Sequence, residues 1–342
     1  MIQTVRGPIS PEESGICLTH EHVLVDCTCY LRKPTDEHES VVASEPVALE
    51  NLSWIRRNYL CNRDNLLLQD RNLAIRELDI FKRYGGRTIV DVSSNGLGRD
   101  PEGLRAVSEE TNLHIVMGCG YYVADSHPDD MDLRTVEDIA EEMIRDVRIG
   151  VGPSSVKAGI IGELGCSWPL QPNERKVLLA GAMAQQRTGA PITIHTARHP
   201  DSPLEIVEVL ANAGVDLRRV VMGHLDRTSP DPSRMKALAE TGCYLELDMF
   251  GRETWPYPHA PMDMITDSAR INLMLDLIED GYAEQVLVSH DVSFKHRLSA
   301  FGGSGYGHIQ ISILPEMRRK GMSEDAMEMI LIKNPAQMLM MH

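Results

Sequence analysis

The chain has 342 residues, of which 42% are hydrophobic and 25% charged, enough apolar material for a sizeable core and too much for a disordered chain. Lys plus Arg number 34 against 50 Asp plus Glu, a net charge of -16. That balance excludes nucleic acid and anionic membrane as partners, because their phosphates would be repelled.

Short runs rich in β-branched residues alternate along the chain with stretches whose apolar residues recur every three or four positions. Strands are predicted over 17–23, 87–93, 114–121, 158–165, 191–196, 219–225, 243–249 and 285–291. Helices are predicted over 72–83, 136–147, 173–187, 202–213, 233–241 and 268–280, several closing on a glycine such as Gly85 or Gly189. Residues 30–70, with a helical-looking 46–59, form a long loop over one end, and 308–320 and 323–340 read as closing helices. Such alternation builds right-handed βαβ units and a parallel sheet. Eight repeats predict an α/β fold closed into a (β/α)8 TIM barrel, with residues 1–342 as a single domain. An open, doubly wound sheet would want a Gly-rich phosphate loop after its first strand, where this chain has Thr19-His20-Glu21-His22.

The seven cysteines are odd in number and scattered, unlike a disulfide framework, and read as buried thiols. The N-terminal residues lack a basic region followed by an apolar run, and no apolar stretch approaches the ~20 residues that span a bilayer. A cytoplasmic home is the expectation.

Barrel active sites form at the C-terminal ends of the strands. There the first strand offers His20 and His22, two residues apart and so on one face. The fourth ends on Glu163, the fifth on His195, the sixth on His224 and the eighth on Asp291. Burying four imidazoles and two carboxylates without a cation would leave charges uncompensated at several kcal/mol each, so the set points to divalent metal: Zn, Mn, Co or Fe.

These residues lie in motifs that resemble the phosphotriesterase-like branch of the amidohydrolase superfamily. The matching segments are Thr-Val-Arg-Gly-Pro near the start, Leu-Thr-His-Glu-His-Val, Gly-Ile-Ile-Gly-Glu-Leu-Gly, Ile-Thr-Ile-His-Thr, Val-Met-Gly-His-Leu-Asp, Leu-Val-Ser-His-Asp and the late Lys-Asn-Pro-Ala. The resemblance implies two metals, one held by His20, His22 and Asp291, the other by His195 and His224. Many relatives bridge them with a carboxylated lysine; this chain resembles the subgroup with glutamate there, Glu163. Lys157 cannot replace it, since six residues along a strand span about 20 Å. The implied chemistry is hydrolysis of a carboxylic ester, lactone or amide of a small molecule, phosphorylated or anionic ones included, two cations supplying hydroxide and Asp291 accepting the proton. The alternatives are an organophosphate hydrolase or a metal-containing barrel that only binds a small ligand. The family also allows a homodimer.

Around the site, Asp226 is expected to orient a ligand histidine, and relatives carry an Asp there. Where several relatives place a further Asp of a proton relay, this chain has Arg227. Tyr122 matches an aromatic lining the pocket in relatives, and Arg252 is a candidate for an anionic substrate group. Trp255, Tyr257, His259 and Tyr306 belong to loops that would shape the pocket. His290 is expected to face the helices. His199, His296 and His308 are loop histidines near the mouth, and the late methionines read as core or subunit contact.

Overall fold

The computed structural model describes residues 1–34, 36, 39–253, 257, 260 and 262–341. Eight parallel strands follow one another around a barrel: β1 Ile16–Glu21, β2 Gly86–Asp91, β3 His114–Cys119, β4 Ile160–Gly165, β5 Ile192–His195, β6 Val220–Met222, β7 Tyr244–Leu247 and β8 Val286–Val288. Each pairs with its neighbours in chain order, and hydrogen bonds between the ends of β8 and β1 close the barrel. His20 N–H donates to Ser289 Oγ at 3.1 Å and Asp291 N–H to His20 O at 3.2 Å. The predicted (β/α)8 barrel is the fold.

Alternation along the strands separates two apolar layers. Leu18, Ile89, Ile115, Ile161, Ile194 and Leu245 face the surrounding helices. Cys17, Val90, Val116, Ile160, Val221 and Leu287 form a second cluster with Ile2, Met338 and Leu339, which packs the barrel interior. The helices α1 Arg71–Arg83, α2 Pro101–Thr111, α3 Val136–Arg148, α4 Pro172–Thr188, α5 Ser202–Asn212, α6 Pro232–Ala239 and α7 Asp267–Glu279 make up the outer ring. α2 was not among the predicted helices, although Asp100 caps it by accepting from Gly103 N–H and Pro101 opens it. α4 closes on Gly189 in the left-handed region, as its sequence pattern requires.

The observed strands are shorter than predicted at their C-terminal ends. The predicted strand 219–225 stops at Met222, and 285–291 stops at Val288, because His224 (φ 60°) and Asp291 (φ 50°) adopt left-handed backbone that leaves the ladder. The long segment after β1 carries the helices Glu39–Ser44 and Leu52–Arg57, a shorter second helix than 46–59 predicts, and pairs Leu67–Leu68 with Val25–Asp26. The closing helices each contain a π turn, Ile309–Ile313 and Met329–Lys333, each ending two residues before a proline, Pro315 and Pro335.

Candidate metal centre

Two irregularities of register aim the central side chains. The β1–β2 pairing shifts between Leu18 and Glu21, which turns His20 and His22 inward and Glu21 outward onto His290 (Oε1 to Nδ1, 2.7 Å). The β4–β5 pairing shifts between Ile161 and Leu164, so Leu164 faces the helices and Glu163 the interior. The strands meet too closely here for a side chain at 162: a Cβ on Gly162 would lie 2.2 Å from Thr193 O. His195 ends β5 on its inward face, while His224 and Asp291 follow β6 and β8 in left-handed conformation.

Glu163 is the hub. Its Oε1 lies 3.4 Å from His22 Nε2, and its Oε2 lies 2.8 Å from His195 Nδ1 and 3.4 Å from both His224 Nε2 and His20 Nε2. Asp291 Oδ1 is 3.3 Å from His22 Nε2. His20, His22 and Glu163 offer three donor atoms within 4.8 Å of one another, and so do Glu163, His195 and His224. All six predicted side chains therefore meet, every one of them buried.

The electrostatics call for cations. Burial opposes charge on His20, but the carboxylates of Asp248 and Glu163 outweigh it and hold the imidazolium well above its ordinary range. His22 is pushed up to about 10 against burial, by Asp291 and Glu163. Positive charge is thus favoured at His20 and His22, whereas burial, with His224 and Arg227 nearby, holds His195 well below its ordinary range. His20 Nε2, buried and facing Glu163, has no hydrogen-bond partner among the described residues. An orphaned imidazole nitrogen beside a carboxylate shared by four histidines fits a divalent metal.

Two carboxylates that the sequence reading passed over support the histidines. Glu246 and Asp248 alternate with Leu245 and Leu247 at the end of β7 and face inward. Glu246 Oε2 lies 3.1 Å and Asp248 Oδ2 3.3 Å from His20 Nδ1. Asp248 also holds His224, with Oδ1 at 2.8 Å from Nδ1 and Oδ2 accepting the backbone N–H at 2.8 Å. Asp248 with His20 and His224 makes a third group of donors within 4.8 Å. The role expected of Asp226 therefore falls to Asp248. The strand ends before residue 226, and the Asp226 carboxylate turns away to Arg270 (Oδ2 to Nε, 2.5 Å) and Met249 N–H.

Above the cluster, the cavity is walled by Tyr30, Tyr122, Arg198, Arg227, Arg252 and Tyr257, among others. Tyr122 Oη lies 3.2 Å from His195 Nδ1 and accepts from Tyr30 Oη at 2.8 Å. Arg252 is buried, with Nη1 3.4 Å from Asp291 Oδ2 and Nη2 donating to Tyr59 Oη at 2.9 Å. Tyr306 donates to His22 O, which steadies the first strand's end. The loop histidines are engaged elsewhere: His199 stacks on Trp168, His296 meets Asn65 and His308 meets Asp267. Trp255 and His259 lie outside the described residues. Lys157 lies ahead of β4 and lines a separate cleft with Gln3 and Arg6.

The model of the Phosphotriesterase family matches residues 1–339. The chain belongs to the phosphotriesterase family. Within it, an N-acetyltaurine hydrolase of Dictyostelium discoideum is 42% identical over 99% of this chain and 97% of its own length. A resiniferatoxin-binding protein from Rhodobacter sphaeroides superposes with a TM-score of 0.94 at 35% identity, over 99% of this chain and 94% of that one. A lactonase from Listeria monocytogenes superposes with a TM-score of 0.81 at 26% identity, over 100% and 99%. This phosphotriesterase-family chain is a metal-dependent hydrolase. None of its described helices is long and apolar enough to cross a membrane.

Proposed function

We propose that residues 1–342 work as one barrel domain in the cytoplasm, hydrolysing a small N-acyl amide at a two-metal site. His20, His22 and Asp291 would hold one metal and His195 and His224 the other, with Glu163 as the carboxylate that both sets share. The observation that supports this reading is that one carboxylate meets the ligands of both sites, Glu163 Oε1 lying 3.4 Å from His22 Nε2 and Oε2 3.4 Å from His20 Nε2, 2.8 Å from His195 Nδ1 and 3.4 Å from His224 Nε2. Zinc suits the nitrogen and oxygen donors best, with Mn, Co or Fe as substitutes. The 42%-identical relative named for an amide favours amide over ester or lactone.

Divalent metals held there supply Lewis-acid polarisation of the carbonyl and activation of water. Glu246 and Asp248 keep the rings of His20 and His224 turned toward the centre. Asp291, held ionised by His22 beside it against its burial, accepts the proton of the attacking water. It returns that proton to the amide nitrogen as the C–N bond breaks, and carboxylate and amine leave. Arg252, 3.4 Å from Asp291, keeps the carboxylate aimed into the cavity. Tyr122 closes the wall beside His195.

Metal analysis and a substrate panel test this together. The expected result is about two divalent metals per chain, both lost or sharply weakened in Glu163→Ala, with acetamides turned over in preference to lactones, carboxylic esters and phosphotriesters. One tightly held metal would sink the bridging role of Glu163. Fast turnover of a phosphotriester alone would replace the amide by an organophosphate, and no turnover of any class by metal-replete protein would leave a binding protein.

A further inference from the structure

Asp291 stands on a turn that the barrel ladder does not hold. The pairing of β7 with β8 runs to Leu247 and Val288. Two further bonds extend it, Ser289 N–H to Leu247 O at 3.2 Å and Phe250 N–H to Ser289 O at 3.4 Å. The chain then enters residues 290–292 with Asp291 in left-handed backbone, which a non-glycine residue keeps only where its surroundings impose it. Two buried, charged side chains impose it here, Glu21 and Arg297.

Glu21 takes the donors. Its Oε1 accepts from Ser289 Oγ at 2.8 Å and from His290 N–H at 2.9 Å, and lies 2.7 Å from His290 Nδ1. Its Oε2 accepts from Val292 N–H at 3.0 Å. Arg297 serves the acceptors, Nη2 donating to His290 O at 3.0 Å and to Phe250 O at 3.1 Å. It thereby ties the turn to the loop after β7, from which Arg252 reaches Asp291. Arg297 Nε and Nη1 are buried and have no hydrogen-bond partner among the described residues, so stability alone gives a guanidinium little reason to be here. Burial, with Arg252 nearby, lowers its pKa to about 10, which leaves it a cation at neutral pH. The glycine-rich stretch 302–305 seats it. Gly305 N–H donates to Arg297 O at 2.9 Å, and a Cβ on Gly303 would lie 2.2 Å from the same oxygen.

We propose that Glu21 and Arg297 are positioning residues for hydrolysis: gripping the peptide groups on either side of Asp291, they aim its carboxylate at the metal centre. Glu21 stands between His20 and His22 on β1, so the strand end that carries two imidazoles and the turn that carries the carboxylate are held as one unit. Arg297 fixes the remaining coordinate, the spacing between that turn and the loop after β7. Errors of about 1 Å in such spacings cost a site roughly 100-fold in rate, and groups that orient a metal ligand govern its affinity. The inference deepens the reading of Asp291 as ligand and proton acceptor and rests on it.

The test uses Co(II)-loaded protein and the variants Arg297→Met, Arg297→Lys and Glu21→Gln. Competition with a chelator and the visible Co(II) bands read the metal site directly. Arg297→Met and Glu21→Gln are expected to weaken one metal about 10–100-fold and to change its bands, leaving the other in place. Arg297→Lys, which still donates to a carbonyl, loses less than about 10-fold and carries the test if the methionine variant does not fold. Kinetics at saturating metal compare 4-nitroacetanilide with 4-nitrophenyl acetate, since the anilide nitrogen needs the proton that Asp291 carries and nitrophenolate leaves without it. In Arg297→Met, kcat for the anilide is expected to fall about 100-fold and that for the ester less than about 10-fold, with KM little changed. Variants that lower Tm but keep metal affinity, Co(II) bands and the anilide-to-ester ratio overturn the proposal, because the pair would then serve only the fold. An equal fall for both substrates also overturns it. If wild-type protein leaves the anilide intact, the amide reading falls and the metal measurements decide the positioning alone. Selective loss of one metal in Arg297→Met or Glu21→Gln then supports it, and unchanged affinity for both overturns it.

Discussion

The sharpest test of how the site is supported concerns Asp226, which lies two residues from His224 and yet serves the scaffold. Its Oδ2 accepts from Arg270 Nε at 2.5 Å and from Met249 N–H at 3.0 Å, with no solvent exposure at either side chain. Breaking a buried ion pair by removing one partner costs about 3–5 kcal/mol. Arg270 keeps two other partners, Asp267 Oδ1 at 2.8 Å and Arg252 O at 3.0 Å, which puts the loss at the lower end. Asp226→Ala also strands the Met249 N–H, worth about 1–3 kcal/mol, whereas Asp226→Asn can still accept from it.

The expected total is therefore about 4–6 kcal/mol for Asp226→Ala and about 3 kcal/mol for Asp226→Asn. At about 2 °C per kcal/mol in a chain of this size, Tm falls by roughly 8–12 °C and 6 °C. Metal stoichiometry, measured below the transition, stays as in the wild-type protein. Thermal unfolding with metal analysis on the same samples reads both quantities. The double variant Asp226→Leu with Arg270→Met recovers much of the loss, because an apolar pair of similar volume needs no counter-charge. An Asp226→Ala protein that lost its metals at unchanged Tm would refute the scaffold assignment and restore this residue to the histidine.

Asp248→Ala should do the reverse, lowering metal affinity about 10–100-fold in competition with a chelator, since it removes the group that orients both His20 and His224. Gly162→Ala should destabilise by at least about 3 kcal/mol in denaturant unfolding, because φ is +121° there and the new Cβ would press on Thr193 O. Tyr257 should ionise well below the ordinary tyrosine range, seen as phenolate absorbance rising near neutral pH and absent in Tyr257→Phe. As its folded pKa is depressed from ~10, the stability that it contributes is complete above the unfolded value and is lost as pH falls toward 7. Denaturation midpoints from pH 6 to 10 should therefore separate wild type from Tyr257→Phe increasingly as pH rises.

The barrel was legible because its eight strands are short β-branched runs at regular spacing, a pattern that local chemistry alone imposes. The six metal-loving side chains were legible because residue type and position at a strand end were enough to mark them. Glu246 and Asp248 carried a signal that went unread: Leu245 and Leu247 alternate with them, so two carboxylates share the inward face of a barrel strand. Asp226 does not reach His224 because the strand ends at Met222 and the left-handed backbone at His224 carries the next side chains away, Asp226 to Arg270. Arg198 and Arg227 announce nothing locally. They meet at Tyr257 Oη from two different loops, an arrangement that exists only in three dimensions.

The same irregularities that blurred the strand ends are what bring the site together. Ideal alternation from Ile161 would put Glu163 among the helices, where a carboxylate would be buried without partners. The register shift in β4 returns it to the interior, and that in β1 does the same for His20 and His22. His224 and Asp291 need a stronger departure, a left-handed backbone that costs a non-glycine residue about 1–2 kcal/mol each. Asp248 offsets it at His224 by accepting the backbone N–H, and His20 O offsets it at Asp291. Of the six, only His195 is delivered by an undistorted strand. A regular barrel spreads its side chains evenly around a wall, whereas two-metal chemistry needs them within a few ångströms of one carboxylate, so the strand has to be broken where the chemistry is.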